Sequence, residues 1–173
     1  MNWLIKFAKN PRSISSIAPS SKSLGHLMTK NLPSNARVLE LGSGSGAITE
    51  CILNKLDNPS LLTSVEIDDE LCNFCKKKFP EVNFINKDIQ EILSRDESYD
   101  FILSGVPFVP MQKNRRQQNF NLIKKNLNPG GSFIMYQYSL YTRKELRNIF
   151  GNLQTNFTPW NLPPAFVFTC KKI

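Results

Sequence analysis

Three carboxylates and a run of glycines carry most of the chemistry in this sequence. In Arg37-Val38-Leu39-Glu40-Leu41-Gly42-Ser43-Gly44-Ser45-Gly46-Ala47-Ile48-Thr49, an apolar stretch leads into a turn with glycines at alternate positions. There the backbone can bend sharply and approach a ligand without Cβ clashes. Gly42-x-Gly44-x-x-Ala47 also fits the fingerprint that cradles a pyrophosphate at a helix N-terminus. Glu40 argues against phosphate: two residues before the first glycine, it sets a carboxylate at the mouth of the turn, where it repels a pyrophosphate and suits an amino group. Ser43 and Ser45 keep the turn polar. Glu66, followed by Ile67, stands about 20 residues past the glycines, where an acid grips a ribose; Asp68 suits the cap of the next helix. Asp88, followed by Ile89, closes a third apolar stretch. Each acid alone reads as a solvated loop residue. In the order strand, acid, strand, acid after a glycine turn, they read as a nucleoside-type site.

Strands must hold these groups in place. Leu61 to Asp68, Val82 to Ile89, Tyr99 to Ser104 and Gly131 to Tyr138 read as strands after the one at Val38, the last introduced by an Asn128-Pro129-Gly130-Gly131 turn. Helices fill the gaps at Leu24 to Lys30, Ile48 to Lys55, Asp69 to Phe79, Asn114 to Leu127 and Thr142 to Phe150. Two final strands, around Thr155 to Trp160 and Ala165 to Lys171, read as antiparallel neighbours joined by the Leu162-Pro163-Pro164 turn. This alternation predicts an α/β doubly wound sheet. Ligands bind such sheets beyond the carboxyl ends of the strands, at the switch point of the winding, and every acid and glycine named above lies there. Ser104-Gly105-Val106-Pro107-Phe108 follows the fourth strand. Its Ser104 carbonyl can accept from an amine, Pro107 stiffens the loop, and Phe108 offers an aromatic face to a cation.

With 173 residues the chain fits one domain. A net charge of +8 implies a polyanionic partner, either nucleic acid or an anionic membrane surface. Lys113, Arg115 and Arg116 form one basic cluster and Lys124 and Lys125 another. No run of about 20 apolar residues and no cleavable signal pattern is present, so a cytoplasmic location is expected. Of the four cysteines only Cys72-x-x-Cys75 has suggestive spacing. Both fall on one face of a helix, and no second pair or nearby histidine completes four ligands. They read as small buried hydrophobes, with no metal expected. His26, the sole histidine, reads as a surface residue. Near the start, Trp3, Leu4, Phe7 and Ala8 fall on one side of a helical wheel and Asn2, Lys6 and Lys9 on the other. That segment fits an interfacial anchor or a helix packed over the cleft. Residues 1–30 are therefore read as an amphipathic or lid segment and 31–173 as the main domain.

Glu40 and the additional Gly46 resemble motif I of the class I S-adenosylmethionine (AdoMet) methyltransferases, whose cofactor carries a sulfonium and an ammonium instead of phosphates. Over almost its whole length the chain resembles the bacterial phospholipid N-methyltransferase family, which acts on phosphatidylethanolamine, and a sister group acting on ornithine lipids. The segments that carry this are Asn10-Pro11-Arg12, Ile17-Ala18-Pro19-Ser20-Ser21, Val38 to Gly46, Val65-Glu66-Ile67-Asp68, Ser104-Gly105-Val106-Pro107 and Asn161-Leu162-Pro163-Pro164-Ala165. The resemblance implies a Rossmann-like class I methyltransferase fold: a seven-stranded, mostly parallel sheet with helices on both faces and an antiparallel last strand. It also implies AdoMet as cofactor, bound by Glu40, Gly42, Ser43, Gly44, Gly46, Glu66, Ile67, Asp88, Ile89 and Ser104, with Asp88 accepting from the adenine amino group.

The reaction so implied is direct methyl transfer to an amine, with no metal and no covalent intermediate. Tyr136, Tyr138 and Ser104 are the candidates for holding the nitrogen. Trp3, Lys6, Phe7, Ser20, Ser21, Phe108 and Asn161 would meet the lipid or the membrane. The implied location is peripheral, on the inner face of the cytoplasmic membrane, with no obligate protein partner evident. The segment Ser104 to Phe108 is a degraded form of the Asn/Asp-Pro-Pro-Tyr/Phe acceptor motif of amine methyltransferases. It lacks the side chain that grips a planar nucleobase amine. Val106 and Phe108 replace expected leucines, which leaves headgroup preference open. Two alternatives stand beside the lipid reading. One is an RNA adenine N6-methyltransferase, because the rRNA dimethylases share Glu-Ile-Asp and an acid like Asp88. The other is a non-catalytic AdoMet-binding scaffold.

Overall fold

Val38-Leu39-Glu40-Leu41 is buried at all four positions, the pattern of a strand covered on both faces. In the computed structural model, which describes residues 18–159, 161 and 163–173, this is β1, and it lies inside the sheet with β2 and β4 paired parallel to it. The element order is α1 (Ala18–Thr29), β1 (Val38–Leu41), α2 (Ala47–Leu53), β2 (Leu62–Glu66), α3 (Asp69–Lys78), β3 (Asn83–Asn86), α4 (Ile89–Leu93), β4 (Tyr99–Ser104), α5 (Lys113–Asn126), β5 (Leu127–Gln137), α6 (Arg143–Phe150), β6 (Gln154–Thr158) and β7 (Ala165–Lys171). Among the described residues seven strands form one sheet in the order β3-β2-β1-β4-β5-β7-β6. β7 runs antiparallel to both of its neighbours, as the resemblance implies. The winding reverses between β1 and β4, which sets the switch point beside the glycine turn.

Successive side chains on a strand face opposite sides, and the core divides accordingly. Leu39 and Leu41 join Ile92, Phe120, Phe133 and Phe150 in one layer, so α4, α5 and α6 cover that face. Val38 joins Leu24, Met28, Ile52, Cys72 and Cys75 in the other, under α1, α2 and α3. Cys72 and Cys75 are thus core residues on one face of α3, and His26 is exposed. Asp68 caps α3 by accepting from the Leu71 amide at 3.0 Å, while Lys76, Lys77 and Lys78 sit in its last turn, where cations favour the helix dipole.

Three elements differ from the sequence reading. α1 starts at Ala18 and takes in Ser20 and Ser21, and its Leu24 and Met28 are buried in the core. Ile89 opens the short helix α4 instead of ending β3; five residues give too little periodicity to reveal a helix. Asn128 to Gly131 lie within β5 and not before it. Between the pairs Tyr99–Leu127 and Phe101–Ser132 the chain makes an excursion at Gly130, φ +76°, and then rejoins the ladder. Trp3, Lys6 and Phe7 lie outside the described residues.

Candidate active site

The turn between β1 and α2 forms the floor of the cleft. Gly42 and Ser43 donate to the Val65 carbonyl at 2.8 and 3.3 Å, which pins the turn to β2. Gly44, at φ +53°, has open space where a Cβ would sit; Gly46, at φ +82°, would drive a Cβ to within 2.6 Å of the Phe79 ring. One glycine therefore bares backbone to the cleft and the other packs backbone onto α3. The Cys75 thiol donates to the Gly44 carbonyl at 3.3 Å. Burial pushes this thiol up to about 11, so it stays a neutral donor.

Glu66, at the end of β2, ties the same turn from the other side. Its two oxygens accept from the Gly44 amide at 2.8 Å and the Asp68 amide at 3.0 Å. A carboxylate keeps further lone pairs for ribose hydroxyls. Asn86, which carried no signal in the sequence, holds the β2 end by donating to the Glu66 and Ile67 carbonyls at 2.9 and 3.1 Å.

Glu40 is not at the mouth of the turn, as its spacing implied. It is buried beneath it, because both faces of β1 are covered. One of its oxygens accepts from the Thr49 and Ser64 hydroxyls, each at 2.7 Å; the other, Oε1, is buried with no partner among the described residues. Desolvation, with a smaller contribution from the Glu66 charge, pushes its pKa up to about 7 in spite of the two hydroxyl donors.

A cavity of about 700 Å³ opens above this floor. Ile67, Leu71, Asp88, Ile89, Met111 and Arg115 line it beyond β2 and β3; Gly105, Val106, Pro107, Tyr136, Tyr138 and Asn161 line it beyond β4 and β5. Asp88 has two partners: its Oδ1 caps α4 by accepting from the Gln90 amide at 2.8 Å, and its Oδ2 is paired with Arg115. The basic cluster read from the sequence is therefore divided. Lys113 is exposed and Arg115 lines the cleft, whereas Arg116 is buried. Arg116 donates to Glu145 at 2.7 Å and to the Met111 carbonyl at 2.9 Å.

Two acceptor-side expectations are corrected by packing. Phe108 is fully buried against Phe120, with ring centroids 4.7 Å apart, so it presents no face to a cation in the cleft. Ser104 is also buried and does not line the cavity. Its hydroxyl donates to the Leu41 carbonyl at 3.4 Å and accepts from the Val106 amide at 3.1 Å, which shapes the loop that does line it. Tyr136 and Tyr138 do share the cleft, edge to face with centroids 5.8 Å apart. Burial pushes both phenols up. Asn161 is set by donating to the Pro163 carbonyl at 2.7 Å. Gln137, between the two tyrosines and on the opposite face, pins the Val106 carbonyl at 2.8 Å.

The residues fit AdoMet. Bare backbone at Gly44, the Glu66 carboxylate and apolar Ile67 and Ile89 beside Asp88 would offer surfaces for a sulfonium, a ribose and a purine, and beneath them Glu40 Oε1, with no partner among the described residues, would suit an amino group. Among the described residues, no cluster of His, Cys, Asp and Glu is gathered as a metal site, and no helix is long and apolar enough to cross a membrane.

Known proteins agree with this geometry. Residues 38–131 match the methyltransferase domain family. Ornithine lipid N-methyltransferase of Singulisphaera acidiphila is 31% identical, covering 99% of this chain and 95% of that protein. Ribosomal RNA small subunit methyltransferase A of Malacoplasma penetrans is 36% identical over 75 residues, 41% of this chain and 26% of its own length. The crystal structure of Burkholderia thailandensis 1,6-didemethyltoxoflavin-N1-methyltransferase, with 1,6-didemethyltoxoflavin and S-adenosylhomocysteine bound, aligns with a TM-score of 0.76 at 15% identity, over 98% of this chain and 85% of that one; the likeness is one of fold. On the family match and the near full-length relative, the chain belongs to the methyltransferase domain family and is an AdoMet-dependent N-methyltransferase.

Proposed function

We propose that the methyl acceptor is the primary amine of a membrane amino lipid, either ornithine lipid or phosphatidylethanolamine. The observation that carries this reading is the similarity to an ornithine lipid N-methyltransferase over 99% of the chain, well beyond the cofactor motifs. The match to the rRNA enzyme spans 41% of the chain, so it supports a shared cofactor site more than a shared acceptor.

Bound in the cleft, AdoMet supplies a methyl group activated by its sulfonium. Glu66 would hold the ribose, Asp88 the purine amino group and Glu40 the amino acid end. Tyr136 and Tyr138, which burial keeps neutral, would accept from the N–H groups of the incoming amine. An ammonium has no lone pair, so the amine enters in its neutral form, and desolvation in this cleft favours that form. Gly105, Val106 and Pro107 form the adjoining wall, a Cβ on Gly105 coming within 3.7 Å of the Tyr136 ring, and would fix the approach of the nitrogen; orientation of this kind can supply much of a rate enhancement. In this reading the enzyme works at the inner face of the cytoplasmic membrane as a peripheral protein.

The test is incubation of purified protein with methyl-labelled AdoMet and separate pools of ornithine lipid, phosphatidylethanolamine and RNA. Label in either lipid supports the proposal and names the headgroup. Label confined to RNA, or none in any pool, overturns it.

A further inference from the structure

We infer that the loop from Ser139 to Thr142, with the first turn of α6, is the surface that seats this protein on an anionic bilayer. The inference rests on the amino-lipid reading and adds to it the place where the membrane is met.

Leu140 and Tyr141 are 43% and 65% exposed. They follow Tyr138, which lines the cleft, by two and three residues, so the exposed tip and the acceptor site belong to one short segment. Arg143 and Lys144 come next on the chain and Arg147 one turn further along α6, all three exposed. The start of α5 adds exposed Lys113 on the opposite flank. The two flanks meet because the Arg116 guanidinium lies 5.1 Å from the centre of the Tyr141 ring.

The charge exposed around the tip is positive. Glu145, the acid of the same helical turn, is only 12% exposed and is taken by Arg116 at 2.7 Å. Arg116 is itself buried and bonded to the Met111 carbonyl, so Tyr141 rests on a fixed post. An aromatic and a leucine at a tip, ringed by arginine and lysine, match the layering of a membrane interface: apolar groups at the acyl boundary and cations at the phosphates. The net charge of +8 favours the same partner. RNA would use the cations but has no use for an exposed leucine. A tip beside Tyr138 lets a lipid amine reach the cleft while its acyl chains stay in the bilayer.

Full-length protein is tested by co-sedimentation with vesicles of equal parts phosphatidylglycerol and phosphatidylethanolamine. Leu140→Ser and, separately, the pair Arg143→Glu/Lys144→Glu are expected to weaken binding at least tenfold. Methylation of vesicle-borne amino lipid should fall in parallel, while turnover of a short-chain amino lipid below its micellar concentration, and affinity for S-adenosylhomocysteine, stay unchanged. Wild-type vesicle binding by both variants overturns the inference, as does loss of RNA binding with vesicle binding retained. If wild-type protein methylates neither lipid form, the amino-lipid reading itself fails, and that outcome is separate from any result on the tip.

Discussion

Replacing Glu40 by glutamine should flatten the pH dependence of stability. Glu40 is raised from 4.5 to about 7 because it is buried, with only the Thr49 and Ser64 hydroxyls to solvate it. The folded protein therefore holds this proton more tightly than the unfolded chain does. Its contribution favours folding fully below pH 4.5 and is lost as the pH rises through 7. At about 1.4 kcal/mol per tenfold change in proton affinity, the loss between pH 4.5 and pH 8 is about 3 kcal/mol. For a chain of this length that corresponds to about 6 to 12 °C in Tm. Other groups titrate as well, so the quantity to measure is the difference between the wild-type and Glu40→Gln thermal curves across that range. Glutamine can place its carbonyl where both hydroxyls donate, but it cannot ionise. Parallel curves would refute the reasoning, because they would mean that Glu40 is solvated or charged when folded. Oε1, which has no partner among the described residues, adds a second readout. If the cofactor's amino group donates to it, the ionised acid is the binding form, and affinity for S-adenosylhomocysteine rises about tenfold between pH 6 and pH 8 in wild type and stays flat in the variant.

Arg116→Met strands Glu145, which is 12% exposed, and should cost about 3–5 kcal/mol in urea denaturation; adding Glu145→Met should recover most of that, and an unrecovered double variant would show that the pair is not what the region depends on. Glu66→Ala removes the acceptor of the Gly44 and Asp68 amides and should weaken S-adenosylhomocysteine by about tenfold to a hundredfold at about 1.5–3 kcal/mol per charged hydrogen bond. Calorimetry checks this, and undiminished affinity would remove Glu66 from the cofactor site. Tyr138→Phe should lower turnover of the amino lipid while leaving S-adenosylhomocysteine affinity intact, and unchanged kinetics would take Tyr138 out of the acceptor site.

The part of the candidate site around the glycine turn was legible as a strand, turn and helix because its determinants are local, although the burial of Glu40 beneath it was not. An apolar run, three glycines and an acid at each following strand end are all properties of short segments, and Asp68 announces itself as a cap by its position before α3. The acceptor half was not legible in the same way, because it is assembled from the ends of β4 and β5 and the segment before β7. Phe108 shows the difficulty: one residue after an exposed proline, it turns into the layer under α5, where burial against Phe120 outweighs any use in the cleft. Arg115 and Arg116 are adjacent and chemically identical, yet one pairs with Asp88 at the cleft and the other is buried beside Glu145. Only the phase of α5 against its neighbours separates them, and a single sequence does not contain that phase.

The two halves are nevertheless one mechanical unit, and glycine is the means. A Cβ on Gly42 would come within 3.0 Å of the Val106 side chain, and a Cβ on Gly105 within 2.9 Å of the Gly42 carbonyl. The cofactor turn and the acceptor loop therefore touch backbone to backbone, and Gln137 locks the outer side of that contact through the Val106 carbonyl. Among the described residues this contact couples the acceptor loop directly to the glycine turn. The position of the Gly105–Val106 loop is set by the Gly42 turn, and both are referred to β1. A side chain at Gly105 would push the halves apart, with a larger effect on transfer to the acceptor than on cofactor affinity, because in the proposed binding mode Glu66 and Asp88 would hold the cofactor from the other side of β1.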